Sequence, residues 1–442
     1  KETYAPGGQC RDPAEGVHER SEIRRRLRYG TDFMGKRELE VYVHIPFCVR
    51  KCAYCDFLSA PAGEREIHAY TDALIREIRE EGKKYKDCRV STVFLGGGTP
   101  SVLRGEDTAR IFHALRECFD IAEDAEITLE ANPGTVSEEK AAVWKNAGVN
   151  RISIGLQSVS DRELKLLGRI HTFREFMDTW KLVRDKGFDN VNIDLISAVP
   201  GQTVQSWEST LRTAAELGPE HISAYSLIIE EGTPFYTWYG EGREGAGEGG
   251  LPPLPGEDED REIYRITASV LAEYGYHRYE ISNYAKDGYE CRHNLGYWER
   301  KEYLGLGLGA SSLIRECRFH NTADMEKYML VYGDAGQEKG TEKNKTCVRR
   351  PETDGQGSVT EEMERLSAEE QMEEFMFLGL RKMAGISCDD FQTAFGRDIR
   401  DIYGEKLTKL EKQGLIRSSG GRVRLTERGI DISNYVFSEF LF

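Results

Sequence analysis

The sequence predicts an α/β fold in which a partial (β/α)6 barrel is followed by a C-terminal helical, winged-helix-like domain. Three observations support it: apolar runs alternate with amphipathic stretches, polar motif residues recur where the apolar runs end, and the C-terminal part reads as a helix, a turn and a hairpin. Such alternation is typical of parallel β/α units with right-handed crossovers, whose strand ends meet at one face of a barrel.

The six predicted strands are short apolar runs that turn signals or polar residues separate. In chain order they are VYVHI, STVFLG, EITLEA, RISIGL, NVNIDLI and HISAYSLI. The amphipathic stretches between them predict five helices near 64–82, 106–119, 137–147, 172–187 and 204–217.

The chain has 442 residues, a length that predicts two or three domains. We expect an N-terminal extension, the barrel, a region that completes the barrel, a flexible loop and the C-terminal domain, at 1–38, 39–235, 236–332, 333–360 and 361–442. Residues 240–260 and 333–360 are rich in Gly and charged residues, which predicts surface loops. The segment LTKLEKQGLIRSSGGRVRLTERG predicts a helix, a turn at Gly414 and a hairpin with its tip at 420–421.

The formal charge of −16 argues against broad nucleic-acid binding, which needs a basic face. No apolar run approaches the ~18 residues of a membrane span, and the N-terminus lacks the apolar stretch of a signal peptide. We therefore expect a cytoplasmic protein. Because the ten cysteines occur in a long, charged chain without a secretion signal, clustered cysteines indicate metal or redox chemistry more than disulfides.

Three cysteines follow the first predicted strand with the spacing C-x3-C-x2-C: Cys48, Cys52 and Cys55. Zinc sites and buried iron–sulfur clusters usually take four protein ligands. Three ligands on one loop leave one metal position open, where a substrate or cofactor can bind. A zinc loop that borrows a distant fourth ligand, or chance clustering, are the alternatives.

The segment FLGGGTPS places Gly97, Gly98 and Thr99 directly after the second strand. Glycines there let the backbone approach a ligand closely, although glycine turns also end many ordinary strands. Glu130, at the end of the third strand, is able to accept the hydroxyl groups of a ribose, or is a solvated acid on the rim.

Polar residues recur at or near the later strand ends: Gln157, Arg169 and Asp194. In a barrel of parallel strands these side chains converge on one face. Each one alone could be an ordinary rim residue, but together with the cysteine loop they predict a single cavity.

The segment HNLGYW contains His293, Asn294, Tyr297 and Trp298. A histidine beside two large aromatic residues offers what an axial haem site needs, a neutral imidazole and a flat apolar wall. A lone histidine is more often a hydrogen-bonded loop residue. If His293 is not the iron ligand, Cys291 and His320 are the next candidates.

The motifs VYVHIPFC…KCAYCDF, FLGGGTPS, LEANPG, ISIGLQS, LGRIHT, DLI…PGQT and HNLGYW together resemble the oxygen-independent coproporphyrinogen III oxidase-like family of the radical S-adenosylmethionine (SAM) superfamily. The resemblance spans residues 40–442. It implies a [4Fe–4S] cluster on the three cysteines and bound SAM. By position it implies an aromatic contact at Tyr54, and SAM contacts at Tyr42, Gly97, Gly98, Thr99, Glu130, Gln157, Arg169 and Asp194.

Two features resemble the family's branch of haem chaperones: the HNxxYW motif, and Phe57 at the position where the oxidases carry a further cysteine. The resemblance then implies that the protein binds haem and transfers it to an acceptor protein. Its further implied partners are an electron donor for the cluster and a second copy of the chain in a homodimer. The alternative is an oxygen-independent coproporphyrinogen III oxidase, or another SAM-radical enzyme that acts on a tetrapyrrole.

The C-terminal domain has a basic last helix and hairpin, a pattern also found in DNA-binding domains. The net charge of the whole chain opposes DNA binding. The family resemblance instead implies that this domain covers the mouth of the barrel.

Overall fold

The computed structural model describes residues 35–240, 250–333 and 359–442. Six adjacent parallel strands form the centre of its large sheet, in the order of the chain. They are β1 (Arg37–Ile45), β2 (Cys88–Gly97), β3 (Ile121–Ala131), β4 (Arg151–Gln157), β5 (Val191–Ser197) and β6 (His221–Ser226). All six strands predicted from the sequence are confirmed.

Helices connect these strands, as the alternation predicts. They are α1 (Glu64–Glu81), α2 (Gly105–Cys118), α3 (Glu138–Asn146), α4 (Asp161–Leu166), α5 (Phe173–Asp185) and α6 (Val204–Glu216). Local capping explains several of their starts: at α5 the Thr172 hydroxyl accepts from Glu175 N while the Glu175 carboxylate accepts from Thr172 N. The short α4, which supports the loop with Arg169, was not predicted.

The sheet is an open, partial barrel, because β1 and β6 do not pair with each other. β6 pairs instead with the strand Asn283–Ala285, and β1 pairs with the strand Tyr303–Leu306. The added strands are β7 (His277–Arg278), β8 (Asn283–Ala285), β9 (Tyr303–Leu306), β10 (Ser311–Ile314), β11 (Cys317–Asn321) and β12 (Thr360–Arg365). The helices of this region are α7 (Pro234–Tyr239), α8 (Glu257–Glu273), α9 (Arg292–Trp298) and α10 (Met325–Tyr332).

The two faces of the parallel strands differ in chemistry. On β1 the residues Val41, Val43 and Ile45 are buried in the main apolar core, while Glu40 and Tyr42 alternate with them and point to the other face. The same alternation on β2 to β6 gives the barrel an inner face that is largely polar. A polar interior of this kind needs hydrogen-bond partners throughout.

The prediction of a surface loop over 240–260 was wrong for its last residues. The structure begins α8 at Glu257, and all four residues of its first turn, 257–260, are acidic. Acidic side chains stabilise the amino end of a helix dipole, so this acidic run is a helix start. Residues 241–249 lie outside the described residues, as do residues 1–34 of the predicted extension and most of the loop predicted at 333–360.

The C-terminal region has its own apolar core. Its elements are α11 (Ala368–Gly379), β13 (Ile386–Ser387), α12 (Cys388–Phe395), α13 (Ile399–Lys412), β14 (Ile416–Ser419), β15 (Arg422–Leu425), α14 (Glu427–Asp431) and α15 (Ser433–Ser438). The predicted helix, turn and hairpin are confirmed, since β14 and β15 pair in antiparallel fashion after the turn.

The expectation that this domain covers the barrel mouth was wrong. It packs near the amino ends of the strands: Met383 N donates to Tyr279 O at 2.9 Å, and Glu280 forms a bridge with Lys382. A cavity of about 380 Å³ between the two regions is lined by Glu38, at the start of β1, and by Phe375 of α11. The placement of a domain depends on contacts between two surfaces, which sequence periodicity does not encode. No helix in the described ranges is long and apolar enough to cross a membrane.

Candidate cofactor site at the mouth of the barrel

The three cysteines of the C-x3-C-x2-C motif lie on the loop that follows β1. Cys48, Cys52 and Cys55 are partly buried and all line one cavity of about 440 Å³. The loop is fixed to the fold at its start, where Cys48 N donates to Ala60 O at 3.1 Å. The three thiols therefore face a common space at the carboxyl ends of the strands, the end at which parallel β/α barrels bind ligands.

Two of the three thiols accept hydrogen bonds from neighbouring side chains. All three cysteines are free. Arg169 Nη1 donates to Cys52 Sγ at 3.6 Å, and Thr99 Oγ1 donates to Cys48 Sγ at 3.4 Å. Burial raises the pKa of the Cys55 thiol and so favours its neutral form. Among the described residues, no group of three or more His, Cys, Asp or Glu side chains is arranged to hold a single metal ion.

The glycine-rich loop after β2 approaches the cysteine loop so closely that side chains are excluded. A Cβ atom on Gly98 would lie 2.6 Å from Phe47 O, and Gly97 has a φ of +104°. Gly98 N and Thr99 N donate to Ile45 O and Phe47 O. A ligand ammonium group donates hydrogen bonds, so its partners in this loop would be carbonyl oxygens.

Two buried carboxyl groups lie beneath this loop. Glu130 Oε2 accepts from Gly97 N at 3.2 Å, and burial together with the charge of Asp194 raises the pKa of Glu130 to about 8. Burial also raises the pKa of Asp194, which accepts from Ser153 Oγ and Asn192 Nδ2 at 2.8 Å each. Asp194 lies in the middle of β5, deeper in the barrel than a strand end. Both carboxyls line the same cavity as the cysteines.

Arg169 and Gln157 reach the cavity from the β4 side. Arg169 Nη2 donates to Asn132 Oδ1 at 2.6 Å and to Gly155 O at 2.9 Å, and Asn132 Nδ2 donates to Thr99 Oγ1 at 2.7 Å. Gln157 has a φ of +70°, a conformation that costs energy for a non-glycine residue and clusters at functional sites. Sequence reasoning missed Asn132, although it follows Glu130 in the motif LEANPG.

The two predicted aromatic contacts differ in position. Tyr54 lines the cavity and packs edge-on against Phe235, with ring centroids 6.5 Å apart. Tyr42 does not line it; its hydroxyl lies 3.0 Å from His44 Nδ1 and its ring stacks on Phe94. Tyr42 therefore lies one layer below the cavity, within the barrel.

His293 lies at the opposite end of the barrel from the cysteines. It is 1% exposed on α9, with Nδ1 2.7 Å from Thr92 Oγ1 and Nε2 2.9 Å from Tyr297 OH. Its ring stacks on Phe94, and its backbone N donates to the Glu126 carboxylate at 3.1 Å. Burial, and next the charge of Arg151, lower the pKa of His293 to about 3, so the imidazole is neutral. In this conformation neither ring nitrogen is open to an iron atom.

The other HNxxYW residues do not form one pocket with His293. Trp298 lines the cavity between barrel and C-terminal domain, where the Arg381 guanidinium lies 4.4 Å from its ring centroid. Asn294 lines neither this cavity nor the cysteine cavity. The two alternative iron ligands do not lie at the mouth of the barrel either. Cys291 is fully buried, and His320 is on β11, beyond β9 and β10.

Comparison with known proteins finds two family models that match separate parts of the chain. Residues 42–214 match the radical SAM superfamily, and residues 366–432 match the HemN C-terminal domain. The chain is 36% identical to the haem chaperone HemW of Lactococcus lactis over 90% of this chain and 96% of the relative. It is 34% identical to the haem chaperone HemW of Escherichia coli, over 91% and 98% of the two chains.

Among solved structures, the chain is similar to coproporphyrinogen III oxidase (HemN) from Escherichia coli, a radical SAM enzyme. The TM-score is 0.75 over 95% of this chain and 93% of that chain, at 22% sequence identity. At that identity the likeness establishes a shared fold.

Proposed function

Since the chain belongs to the HemW family of the radical SAM superfamily, we propose that it is a haem chaperone, which binds haem and passes it to an acceptor protein. In this proposal it also binds a [4Fe–4S] cluster and SAM. The observation that carries the cofactor assignment is the single cavity in which three free thiols, a glycine loop and two buried carboxyls meet.

Cys48, Cys52 and Cys55 would hold the cluster. A cluster held by three thiolates keeps one iron open, which the amine and carboxylate of SAM can chelate. Arg169 would donate a hydrogen bond from its guanidinium to the Cys52 sulfur, 3.6 Å away.

The other cavity residues would hold SAM. The carbonyl groups of the Gly97–Thr99 loop suit the methionine amine. Glu130 suits the ribose hydroxyls, because its carboxyl is buried and has one backbone donor, Gly97 N. Asp194, Gln157 and Tyr54 line the same space, while Tyr42 would act from below by supporting His44.

The chaperone assignment is supported by the family and by Phe57. This residue lines the cysteine cavity at the position where, by the sequence resemblance, the oxidases carry a further cysteine, and its side chain is 61% exposed. The competing proposal is an oxygen-independent coproporphyrinogen III oxidase or another SAM-radical enzyme that acts on a tetrapyrrole. It is favoured by the cavity, which contains the three cysteines and the residues proposed to hold SAM. An electron donor for the cluster and a homodimer are further proposals.

A haem site at His293, Asn294, Tyr297 and Trp298 is the alternative that the sequence resemblance implies. Iron ligation by His293 requires that α9 leave the barrel, because both ring nitrogens are hydrogen-bonded. A haem titration of wild type and His293→Ala tests it: loss of the Soret shift with a folded variant supports ligation, and an unchanged Soret band excludes His293.

The experiment for the function itself compares two activities of one preparation. The cluster is reconstituted anaerobically, and the protein is then given either haem or coproporphyrinogen III with SAM and a reductant. The proposal expects stoichiometric haem uptake and transfer to an apo-haemoprotein, with the porphyrinogen unchanged.

A further inference from the structure

Large apolar side chains that are exposed to solvent cluster at the mouth of the barrel. Six of the twelve in the described part of the chain lie on loops at this end of the barrel or at the end of β6: Val49, Phe57, Leu58, Ile170, Tyr225 and Ile228. Exposed apolar groups that occur singly are ordinary, but a group of them beside a cavity marks a binding surface.

Three of these residues line the cysteine cavity itself, and we call them the mouth patch: Phe57, Tyr225 and Ile228. They are 61%, 40% and 66% exposed. Phe57 follows the third cysteine by two positions, Tyr225 is near the end of β6, and Ile228 follows that strand. The mouth patch therefore extends from the cysteine loop, which follows β1, to the end of β6.

Two cations lie on the same rim. Arg50 and Lys51 are exposed, line the cavity, and make hydrogen bonds to the backbone carbonyls of Gly168 and Phe57. Neither forms an ion pair with a carboxylate in the described ranges, so each has a full charge to offer an anionic ligand. Asp56 and Glu230 also line the cavity, so the rim is not uniformly positive.

We propose that haem docks on the mouth patch and not at the HNxxYW residues, with its macrocycle against Phe57, Tyr225 and Ile228 and its propionates paired with Arg50 and Lys51. Loss of haem binding in a folded His293→Ala variant would overturn this inference. This inference rests on the proposed haem-chaperone function and assigns its cargo site. A flat apolar ring with two carboxylates matches an exposed apolar surface next to unpaired cations. At the closed end of the barrel, by contrast, the His293 side chain is 1% exposed and presents no surface to a haem.

This site would leave the outer face of the haem accessible. Among the residues that the structure describes, no histidine lines the cysteine cavity, and the three cysteines of the cavity are assigned to the cluster. The haem would thus be held by apolar contacts and propionate pairs, and its iron could accept a ligand from an acceptor. Such weak and reversible contacts suit a cargo that must be passed on.

The test is a haem titration followed by the Soret band, on cluster-loaded protein. Phe57→Ala and Ile228→Ala should each weaken haem binding by about tenfold, because each removes a large apolar contact. Leu330→Ala, which truncates a 68% exposed residue on α10, is the matched control and should bind as wild type does. Both variants change exposed side chains, and cluster absorbance reports whether the loop is intact.

A second titration tests the propionate pairs. Haem dimethyl ester, in which the propionates are uncharged, should bind wild type and an Arg50→Ala/Lys51→Ala double variant equally, while free haem should bind the double variant more weakly.

Haem affinities of Phe57→Ala and Ile228→Ala equal to wild type would overturn the inference and leave the chaperone function standing. Unchanged affinity with slower transfer to an apo-haemoprotein would also overturn it, because the patch would then bind the acceptor. Absence of haem binding by wild type would instead refute the proposed function itself.

Discussion

Thr92 Oγ1 and His293 Nδ1 lie 2.7 Å apart, although 201 positions separate them in the chain. The contact joins β2 to α9 inside the barrel. Glu126 on β3 completes the attachment, because its carboxylate accepts from both Arg292 N and His293 N. The helix that carries the HNxxYW motif, α9, thus closes the end of the barrel opposite the cysteines.

The first prediction concerns the pH dependence of stability. The pKa of His293 is about 3 in the folded protein and about 6.5 when unfolded. Since the folded value is depressed, the contribution of the neutral imidazole is present above pH 6.5 and is lost as the pH falls towards 3. Each unit below 6.5 costs about 1.4 kcal/mol. His293→Gln should therefore show a shallower loss of unfolding free energy between pH 6.5 and 4.5.

Denaturant unfolding at several pH values measures that slope. The comparison with wild type isolates His293, because the buried His171 and His221, whose pKa values are also lowered, titrate in both proteins. Identical slopes would show that His293 is not buried as a neutral ring.

The second prediction concerns Glu126 as the residue that positions α9. Glu126→Ala would leave the buried N–H groups of Arg292 and His293 without an acceptor, which should lower the free energy of unfolding by about 1.5–3 kcal/mol. Glu126→Gln keeps one acceptor and should lose less. Glu123→Ala, at the exposed end of the same strand, is the control. Equal stability of all three variants would contradict the claim that Glu126 holds α9 in the barrel.

The third prediction concerns the cluster ligands. Alanine at any one of Cys48, Cys52 and Cys55 should abolish the charge-transfer absorbance after anaerobic reconstitution. Cys88→Ala and Cys388→Ala should keep it, because neither residue lines the cavity. An equally essential scattered cysteine would show that the cluster has a different ligand set.

The fourth prediction concerns SAM. Loss of a charged hydrogen bond costs about 1.5–3 kcal/mol, which corresponds to a 10- to 150-fold loss of affinity. At a pH above about 8, where the Glu130 carboxyl is ionised, Glu130→Ala should weaken SAM binding by about that factor, measured by titration on the reduced, cluster-loaded protein. Glu123→Ala is again the control. A dissociation constant equal to wild type would remove Glu130 from the SAM site.

The cysteine cavity could be predicted from the sequence because strand ends are local features. In any parallel β/α fold the carboxyl ends of the strands converge, so Cys48, Gly97 and Glu130 had to lie near one another. The environment of His293 could not be predicted. Its partner Thr92 is an ordinary mid-strand residue, and the contact depends on how α9 folds back into the barrel.

The position of the C-terminal domain was equally beyond the sequence pattern. Periodicity identified its helices and its hairpin, but the contact between Met383 and Tyr279 depends on the shapes of two surfaces. The deeper position of Asp194 has a related cause, since a strand pattern defines an alternation of faces and leaves the depth along the strand open.

The most direct test of the central claim, that this protein is a haem chaperone, is an anaerobic assay on reconstituted protein with coproporphyrinogen III, SAM and a reductant, with a parallel haem titration. Porphyrins are separated by chromatography, and haem uptake is read from the Soret band. We expect one haem bound per chain and coproporphyrinogen III recovered unchanged. Decarboxylated product at catalytic yield, without stoichiometric haem binding, would contradict the claim and establish the oxidase alternative.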